Sequence, residues 1–262
     1  MIEQNTEIIF NKKVTTDTFL MRLRSPEIAA EARPGQFVMI QARTGVDPLL
    51  RRPFSICGIH EDDGFLILYR VVGRGTAIMS KAREGDILSV LGPLGRGFDL
   101  PQKGHKALLV AGGIGIAPLI FFAQTIQNSD LIFMAGYGSA SEIVPIEQIG
   151  LGNVKVLIAT DDGTTGYRGL VTEVLESHLA GPYDNIPTVF SCGPLPMLKR
   201  VVTITLDRGI PCQVSLEASM ACGLGACQGC AVKSSSKKDQ PYYHVCKDGP
   251  VFDVYTLDWK SI

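Results

Sequence analysis

The stretch KALLVAGGIGIAPLIFFA, residues 106 to 123, decides the fold of this 262-residue chain. Its first part, up to Ala111, is an apolar run of the length of a buried strand, and its second part predicts a helix with Pro118 in the first turn. Gly112, Gly113 and Gly115 form the turn between them. Such a turn exposes backbone N–H groups to a pyrophosphate, but this one departs from G-x-G-x-x-G. Alone, it therefore leaves a nucleotide site and an ordinary strand-to-helix turn both open.

Strand and helix patterns alternate after this unit. Strands are predicted at DLIFMAGYG (130–138), NVKVLIAT (153–160) and TVFSCG (188–193), and helices at GLVTEVLESHL (169–179) and LPMLKRVVTITLDRG (195–209), where Gly209 stops the second helix. Alternation of this kind implies a parallel sheet. We therefore predict an α/β domain over residues 102–209.

The residues before this domain have a different pattern. Short runs rich in Val, Ile, Leu and Phe are separated by Gly, Pro and Asp: GQFVMIQA (35–42), FSICGIH (54–60), GFLILYRVV (64–72) and DILSVLG (86–92). Their spacing predicts an antiparallel barrel or sandwich over residues 1–101. From Ile210 onward little periodicity remains, and we predict a third, small module over residues 210–262 with a polar loop, KSSSKKDQP (233–241).

Four cysteines crowd into that third module. Cys222, Cys227, Cys230 and Cys246 are spaced C-x4-C-x2-C-x15-C, and the first three match the plant-type arrangement for a [2Fe-2S] cluster. Small residues stand between them, which lets backbone N–H groups approach the sulfides. The alternative is a structural zinc site, but zinc ribbons usually carry two C-x2-C knuckles and this segment has one.

Composition limits the possible partners and the compartment. Lys and Arg total 25 against 26 Asp and Glu, so the chain lacks the excess of positive charge by which proteins bind nucleic acids or anionic lipids. The opening MIEQNTEIIFNKKV has no apolar core of a signal peptide, and seven cysteines, an odd number, suit a reducing compartment. We expect a cytoplasmic protein that binds neither nucleic acid nor membrane.

Three further stretches carry side chains of interest. In RRPFSI (51–56) a guanidinium and a hydroxyl flank an aromatic ring, YRVVGRGT (69–76) joins a strand to a glycine turn, and CGP (192–194) ends a predicted strand. Each also fits an ordinary reading: an edge strand, a hairpin and a buried core cysteine. Cys57 and Cys212, in other apolar, strand-like runs, are predicted to be core residues. The four histidines are scattered without metal-ligand spacing.

Taken in order, these motifs resemble one family over nearly the whole chain. R-x-[aromatic]-S, GPLGRGF (92–98), G-G-x-G-x-x-P and CGP resemble the ferredoxin–NADP reductase superfamily. The C-terminal ASMACGLGACQGCAV (218–232) and CKDGPVF (246–252) narrow the resemblance to the electron-transfer subunits of class 1B, NAD-linked dihydroorotate dehydrogenase. The resemblance implies FAD on the barrel, a nicotinamide nucleotide on the Rossmann-like sheet and a [2Fe-2S] cluster in the C-terminal module.

The resemblance also implies roles for individual residues. It assigns FAD binding to Arg52, Pro53, Phe54, Ser55, Tyr69, Arg70, Val71, Gly75 and Thr76, NAD binding to Gly112, Gly113, Gly115, Gly193 and Pro194, and a position beside the nicotinamide and flavin rings, as candidate catalytic residue, to Cys192. The wider superfamily often has Tyr where Phe54 stands, which leaves ring stacking without a hydroxyl. In SASEIV (139–144) no Arg or Lys is present for a 2′-phosphate, while Glu142 offers an acceptor to a free ribose hydroxyl.

The implied function is electron transfer from a partner to NAD⁺. No residue pattern in the chain suggests a pyrimidine site, so the resemblance assigns dihydroorotate oxidation to an FMN-containing catalytic subunit, in a heterotetramer with two copies of each chain, within pyrimidine (UMP) biosynthesis. A reductase that passes NAD(P)H electrons to ferredoxin or another acceptor remains an alternative. A zinc-binding or redox-sensing module without enzymatic activity remains another.

Overall fold

The structure of the chain is a computed structural model, and it describes residues 1–45, 47–60, 63–101, 105–126, 131–151, 154–181, 185–236 and 240–262. Residues 237–239 of the predicted polar loop lie outside these ranges, and so does residue 102, the first residue of the predicted α/β domain. Among the described residues, none of the helices is long and apolar enough to cross a membrane.

The N-terminal region is a closed antiparallel barrel, which decides between the two predicted all-β forms. Its strands pair in the order β1-β2-β5-β4-β3-β6, and β6 returns to β1. Alternate apolar side chains fill the interior, as the short apolar runs of the sequence require. The strands are β1 (Ile2–Lys13), β2 (Thr18–Arg24), β3 (Phe37–Gln41), β4 (Arg52–His60), β5 (Gly64–Arg70) and β6 (Ile87–Leu94).

Two short helices interrupt the barrel. Helix α1 (Pro26–Glu31) begins after Ser25, whose side chain accepts a hydrogen bond from the Ile28 N–H. Helix α2 (Arg74–Met79) follows β5 directly. The glycines of GRGT (73–76) therefore lie at the start of a helix. The alternative interpretation of this stretch as a hairpin is wrong.

The second region is a seven-stranded sheet in the order β10-β9-β8-β7-β11-β12-β15. Strand β7 lies in the middle, and the chain first builds outward from it on one side and then on the other. The carboxyl ends of β7 and β11 therefore meet where the strand order reverses, which is where open parallel sheets bind ligands. Its first strands are β7 (Ala107–Gly112), β8 (Leu131–Tyr137), β9 (Val156–Thr160), β10 (Tyr167–Arg168) and β11 (Thr188–Cys192), with helices α3 (Ile116–Thr125), α4 (Val171–His178) and α5 (Leu195–Asp207).

Single turns of 3₁₀ helix lie in the connections of this region, at Gly113–Gly115, Ala140–Glu142 and Ile146–Ile149. A fourth follows the last strand, at Val254–Thr256. The predicted strand, turn and helix of residues 106–123 are all present, with the strand reaching Gly112.

The sheet does not stop at the predicted module boundary. Strand β12 (Cys212–Ser215) pairs in parallel with β11, and β15 (Val251–Asp253) pairs antiparallel with β12. Only β13 (Ala231–Lys233) and β14 (Tyr242–His244), among the strands in the described part of the chain, form a separate hairpin. The C-terminal module thus completes the sheet as well as carrying the cysteines.

Helix α3 packs against the sheet and the barrel at once. Residues 116–123 are all buried, and Phe121 belongs to the barrel core while Phe122 belongs to the sheet core. The Phe122 ring lies 4.5 Å from that of Phe190 and 5.0 Å from that of Phe98, which follows the barrel. This aromatic cluster fixes the barrel to the sheet.

We expect Phe122→Ala to lower the free energy of unfolding by about 3–5 kcal/mol, because it removes a fully buried ring and leaves a cavity. Tyr255, 57% exposed, provides the matched aromatic control, and Tyr255→Ala should change stability by only about 0.5 kcal/mol. Urea unfolding followed by circular dichroism measures both. Equal effects of the two substitutions would contradict a shared core at α3.

Candidate functional site

A cavity of about 490 Å³ lies between the barrel and the sheet; we call it the interdomain cavity. It brings together motifs that lie far apart in the sequence. The barrel supplies Arg52, Pro53, Phe54, Ser55, Tyr69, Arg70, Val72 and Thr76, and the sheet side supplies Gly115, Pro118, Cys192, Ser215 and Glu217. The predicted Val71 instead packs against the barrel core, and Val72 takes its place in the wall.

Arg52 and the start of α2 form one corner of this cavity. The Thr76 hydroxyl accepts hydrogen bonds from the backbone N–H groups of Val72 (3.1 Å) and Gly73 (3.2 Å), which holds the first turn of α2 closed. Gly75 lies directly against the Arg52 side chain, where a Cβ would overlap the guanidinium group. The corner thus offers a guanidinium and a fixed backbone turn to an anionic ligand.

Aromatic side chains form the barrel wall of the same cavity. The Tyr69 ring is 1% exposed, stacks on Phe19 at 5.6 Å and meets Phe54 edge to face at 5.7 Å. Burial raises the pKa of Tyr69 to about 12. An uncharged aromatic wall of this kind suits a flat ring system.

Cys192 ends β11 at the opposite side of the cavity, with Ser215 of β12 as its strand neighbour. Burial, and then the charge of Glu217, raise the pKa of Cys192 to about 12. The thiol is therefore neutral at physiological pH and is not an activated nucleophile. Glu217 lies at the solvent-exposed rim of the cavity. Partial burial of its carboxyl group removes water from the charged form and raises the pKa of Glu217.

Sequence reasoning missed Ser215 and Glu217 because the strand-like run around Cys212 was not placed in the sheet. The segment CQVS alternates apolar and polar residues, but four residues are too few to define a strand and its neighbours. Its neighbour β11 was predicted, and the polar end of β12 would have followed from extending the sheet by one strand.

A second cavity, of about 380 Å³, opens at the carboxyl ends of β7, β8 and β9; we call it the sheet-end cavity. Gly112, Gly113 and Pro194 line it, whereas Gly115 lies in the interdomain cavity and Gly193 lines neither of these two cavities. A Cβ on Gly193 would come within 2.9 Å of the Gly112 nitrogen, so the two backbones need glycine to pack this closely. The other lining residues include Gly136, Gly138, Glu142, Asp161 and Arg200.

Arg70 lines both cavities and connects them. Its Nε donates to Asp17 Oδ2 at 2.5 Å, and this hydrogen bond, together with the charges of Asp17 and Glu142, raises the pKa of Arg70. Glu142 lies over Gly138, where its carboxylate leaves no room for a Cβ. The sheet-end cavity therefore has acidic groups, Glu142 and Asp161, alongside two arginines, Arg70 and Arg200, that come from other parts of the sequence.

The four cysteines of the C-terminal module come together in pairs. Cys230 Sγ lies 3.2 Å from Cys246 Sγ, and Cys222 interacts with Cys227. Backbone N–H groups point at the sulfurs: Leu224 and Cys227 donate to Cys222 Sγ at 3.4 Å, and Gly225 donates to Cys246 Sγ at 3.1 Å. Two pairs of thiols with N–H donors fit a cluster of two irons that takes two thiolates at each iron.

The two pairs differ in their surroundings. Backbone hydrogen bonds, first that of Leu224, lower the pKa of Cys222 to about 6, and this cysteine is half-buried next to the exposed Cys227. Burial and the neighbouring Cys230 thiol raise the pKa of Cys246 to about 12. The pair Cys230 and Cys246 lies in a core shared with Met39 and Leu94 of the barrel. The pair Cys230 and Cys246 is therefore buried, whereas Cys227 of the other pair is exposed.

Cys57 and Cys212 are buried in strands, as predicted for core residues. All seven cysteines are free thiols in the structure.

Comparisons with known proteins agree on one family. A family model described as the iron-sulfur cluster binding domain of dihydroorotate dehydrogenase B matches residues 217–258. A protein of Desulforamulus reducens named dihydroorotate dehydrogenase B (NAD(+)), electron transfer subunit, is 40% identical, with 94% of this chain and 95% of the relative covered. A protein of the same name from Caldanaerobacter subterraneus is 38% identical, with 95% and 96% covered.

Solved structures give the same picture at the level of the fold. An NADH-dependent reduced ferredoxin-NADP oxidoreductase, studied for flavin-based electron bifurcation, has a TM-score of 0.85 and 29% identity, with 97% of this chain and 90% of that chain covered. A ferredoxin NADP⁺ reductase from Neisseria gonorrhoeae with bound FAD and NADP has a TM-score of 0.65 at 18% identity, with 79% and 92% covered.

Replacing Cys222, Cys227, Cys230 or Cys246 singly by Ser should lower iron and acid-labile sulfide per chain by at least about 10-fold, because each thiolate is needed to hold the cluster. The buried barrel cysteine gives the control, since Cys57→Ala should leave both contents unchanged. Metal analysis, sulfide assay and the visible spectrum measure the effect. Purified wild-type protein with zinc and no labile sulfide would contradict the assignment.

Proposed function

This chain belongs to the electron transfer subunits of dihydroorotate dehydrogenase B, and from that membership we propose how its own residues divide the work. It is a subunit of an NAD-linked oxidoreductase, uses FAD and an iron–sulfur cluster, and passes electrons from the catalytic subunit to NAD⁺ in pyrimidine biosynthesis. FAD, when bound, joins single-electron transfer by the cluster to hydride transfer by the nicotinamide.

One observation carries this proposal: residues 215–222 connect the interdomain cavity directly to the first of the four clustered cysteines. Ser215, Glu217 and Met220 line the interdomain cavity, and Cys222 follows only two residues after Met220. Two residues span at most about 7 Å of chain. This short connection supports a cluster next to the cavity, so that electrons would cross a short gap.

The barrel wall of the interdomain cavity is the proposed FAD site. Arg52 and the turn held by Thr76 bind the pyrophosphate, with Gly75 keeping the guanidinium close to that turn. Phe54 and Tyr69 contact the ring system or its chain. Pro53, Ser55, Arg70 and Val71 complete the motifs, Val71 from behind the wall.

The carboxyl ends of β7 and β11 form the proposed nicotinamide nucleotide site. The backbone of Gly112 and Gly113 would hold the pyrophosphate in the sheet-end cavity, with Pro194 in the same wall. Gly193 packs against Gly112, and Gly115 and Cys192 line the interdomain cavity. As a neutral buried thiol, Cys192 would contact a bound ring and would exchange no proton.

The exposed side of the cluster loop is the proposed contact with the partner. Leu224 is 44% exposed, and Ala226 and Cys227 are exposed beside it. We infer that the catalytic subunit carries FMN, docks on residues 223–229, and forms with this chain a cytoplasmic heterotetramer with two copies of each. Residues 1–101, 102–209 and 210–262 then bind FAD, NAD and the cluster, with β12 and β15 of the third module built into the sheet of the second.

Transfer of electrons to ferredoxin is the second candidate function, favoured by the likeness to the NADH-dependent reduced ferredoxin-NADP oxidoreductase. Assay of the same preparation with ferredoxin and with the catalytic subunit distinguishes the two. A ferredoxin rate equal to or above the coupled rate would favour the second candidate.

The isolated chain should oxidise NADH with dye acceptors but should not oxidise dihydroorotate, because it has no proposed pyrimidine site. Adding the FMN-bearing catalytic subunit should produce dihydroorotate:NAD⁺ activity. Steady-state assays of the chain, the partner and the mixture test this. Dihydroorotate oxidation by the chain alone would contradict the division of labour.

A charge on the exposed cluster loop should weaken the coupled reaction selectively. We expect Ala226→Glu to lower coupled activity by about 10-fold or more, because it places an unpaired charge in the proposed interface, while NADH–dye activity stays near the wild-type value. Ala226→Ser is the small polar control. Cluster content must equal that of the wild type in both variants, and equal losses in the two assays would move the interface elsewhere.

NADH should be preferred over NADPH by about 100-fold in kcat/KM, because Glu142 and Asp161 repel a 2′-phosphate. The two arginines of the sheet-end cavity are already paired, Arg70 with Asp17 and Arg200 with Glu176. Glu142→Gln should narrow the preference, and the substitution Glu84→Gln, at an exposed residue of the barrel domain, should not. NADH–dye and NADPH–dye assays measure both ratios. Equal kcat/KM values in the wild type would show that the ribose lies elsewhere.

A further inference from the structure

Asn11, on β1, bonds to two parts of the proposed FAD site although no motif includes it. Its Oδ1 accepts a hydrogen bond from the Tyr69 hydroxyl at 2.9 Å. Its Nδ2 donates to the carbonyl of Met79 at 2.9 Å and to that of Ala82 at 3.0 Å. Met79 is the last residue of α2, and it is fully buried.

The partners determine which way this amide points. Carbonyl oxygens only accept hydrogen bonds, so the NH₂ end must face Met79 and Ala82. The oxygen end must then face Tyr69, whose hydroxyl is forced to donate. The Asn11 side chain thus bonds both to Tyr69, in the aromatic wall of the interdomain cavity, and to the C-terminal end of α2, the helix whose first turn lies beside Arg52.

Tyr69 and helix α2 are both stabilised by their hydrogen bonds to Asn11. A six-residue helix is marginal by itself, and the carbonyl of its last residue, Met79, accepts one backbone hydrogen bond, from the Ala82 N–H at 3.0 Å, in addition to the bond from Asn11. Tyr69 is buried, so its hydroxyl would be costly to leave without a partner. We propose that Asn11 is a positioning residue for FAD, which fixes the distance between the Tyr69 ring and the Thr76 turn; this inference rests on the proposed FAD site.

Two substitutions of similar size separate the bonds of Asn11. Asn11→Asp keeps the acceptor for Tyr69 and removes both donors to the helix, whereas Asn11→Leu removes all three bonds. Tyr69→Phe removes only the bond to Tyr69. Asn5, exposed on the same strand, gives the control Asn5→Ala.

The full chain is freed of FAD and titrated with FAD, and flavin fluorescence gives the dissociation constant while circular dichroism of the bound flavin reports its surroundings. We expect the dissociation constant to rise about 3- to 10-fold in Tyr69→Phe and about 10-fold or more in Asn11→Asp and Asn11→Leu, with an altered flavin dichroism. Combined with Asn11→Asp, Tyr69→Phe should still weaken binding, but combined with Asn11→Leu it should add nothing. Asn5→Ala should bind as the wild type does.

Each failure has its own meaning. Absence of FAD binding by the wild type would overturn the proposed FAD site itself. Normal FAD affinity and normal dichroism in both Asn11 variants, or additive effects of Tyr69→Phe and Asn11→Leu, would overturn the positioning role alone. If neither Asn11 variant folds, Tyr69→Phe decides, because wild-type affinity and dichroism in that variant would overturn the role of the bond.

Discussion

The burial of helix α3 on two sides is the constraint on which the rest of the structure depends. A helix that packs only on a sheet needs one apolar face, but residues 116–123 are buried all round because the barrel covers the side that would otherwise face water. The shared core of Phe98, Phe122 and Phe190 then sets how the barrel meets the carboxyl ends of β7 and β11. Both cavities open at that junction, so the placement of the ligand sites follows from the packing of one helix.

The same features explain how far the sequence alone could reach. The strand, turn and helix of residues 106–123 were predictable because each is long, strongly apolar or marked by glycine or proline. A cluster-binding module was predictable because three of the four proposed ligands come from one loop. The place of strand β12 in the sheet was not predictable, because four residues of alternating polarity are too few to define a strand. Ser215 and Glu217 were therefore not found. Asn11 could not be found either, because its partners lie 58 to 71 positions away and only the closed barrel brings them near.

The cysteine site shows how local structure can make four identical side chains different. Cys222 accepts hydrogen bonds from N–H groups of its own loop near solvent, and Cys246 lies in apolar surroundings beside Cys230. The first environment favours a thiolate and the second disfavours one until a metal takes the charge. The pair of Cys230 and Cys246 is thus shielded from water, whereas Cys227 of the other pair is exposed. This difference is the reason for proposing that the partner docks on the exposed part of the loop.

Two ionisable side chains of the interdomain cavity are, in contrast, uncharged. Cys192 and Tyr69 both have a pKa of about 12 because of burial, so each is neutral at physiological pH. A thiolate beside a flavin or nicotinamide ring would be a competing nucleophile, and burial removes it. The contribution that we propose for the chain is therefore geometry: a backbone turn and a guanidinium for phosphates, aromatic and sulfur surfaces for flat rings, and Asn11 to keep these surfaces at a fixed spacing. A redox reaction whose electrons are carried by cofactors needs this kind of site, because misplacement slows it more than the loss of an acid or a base would.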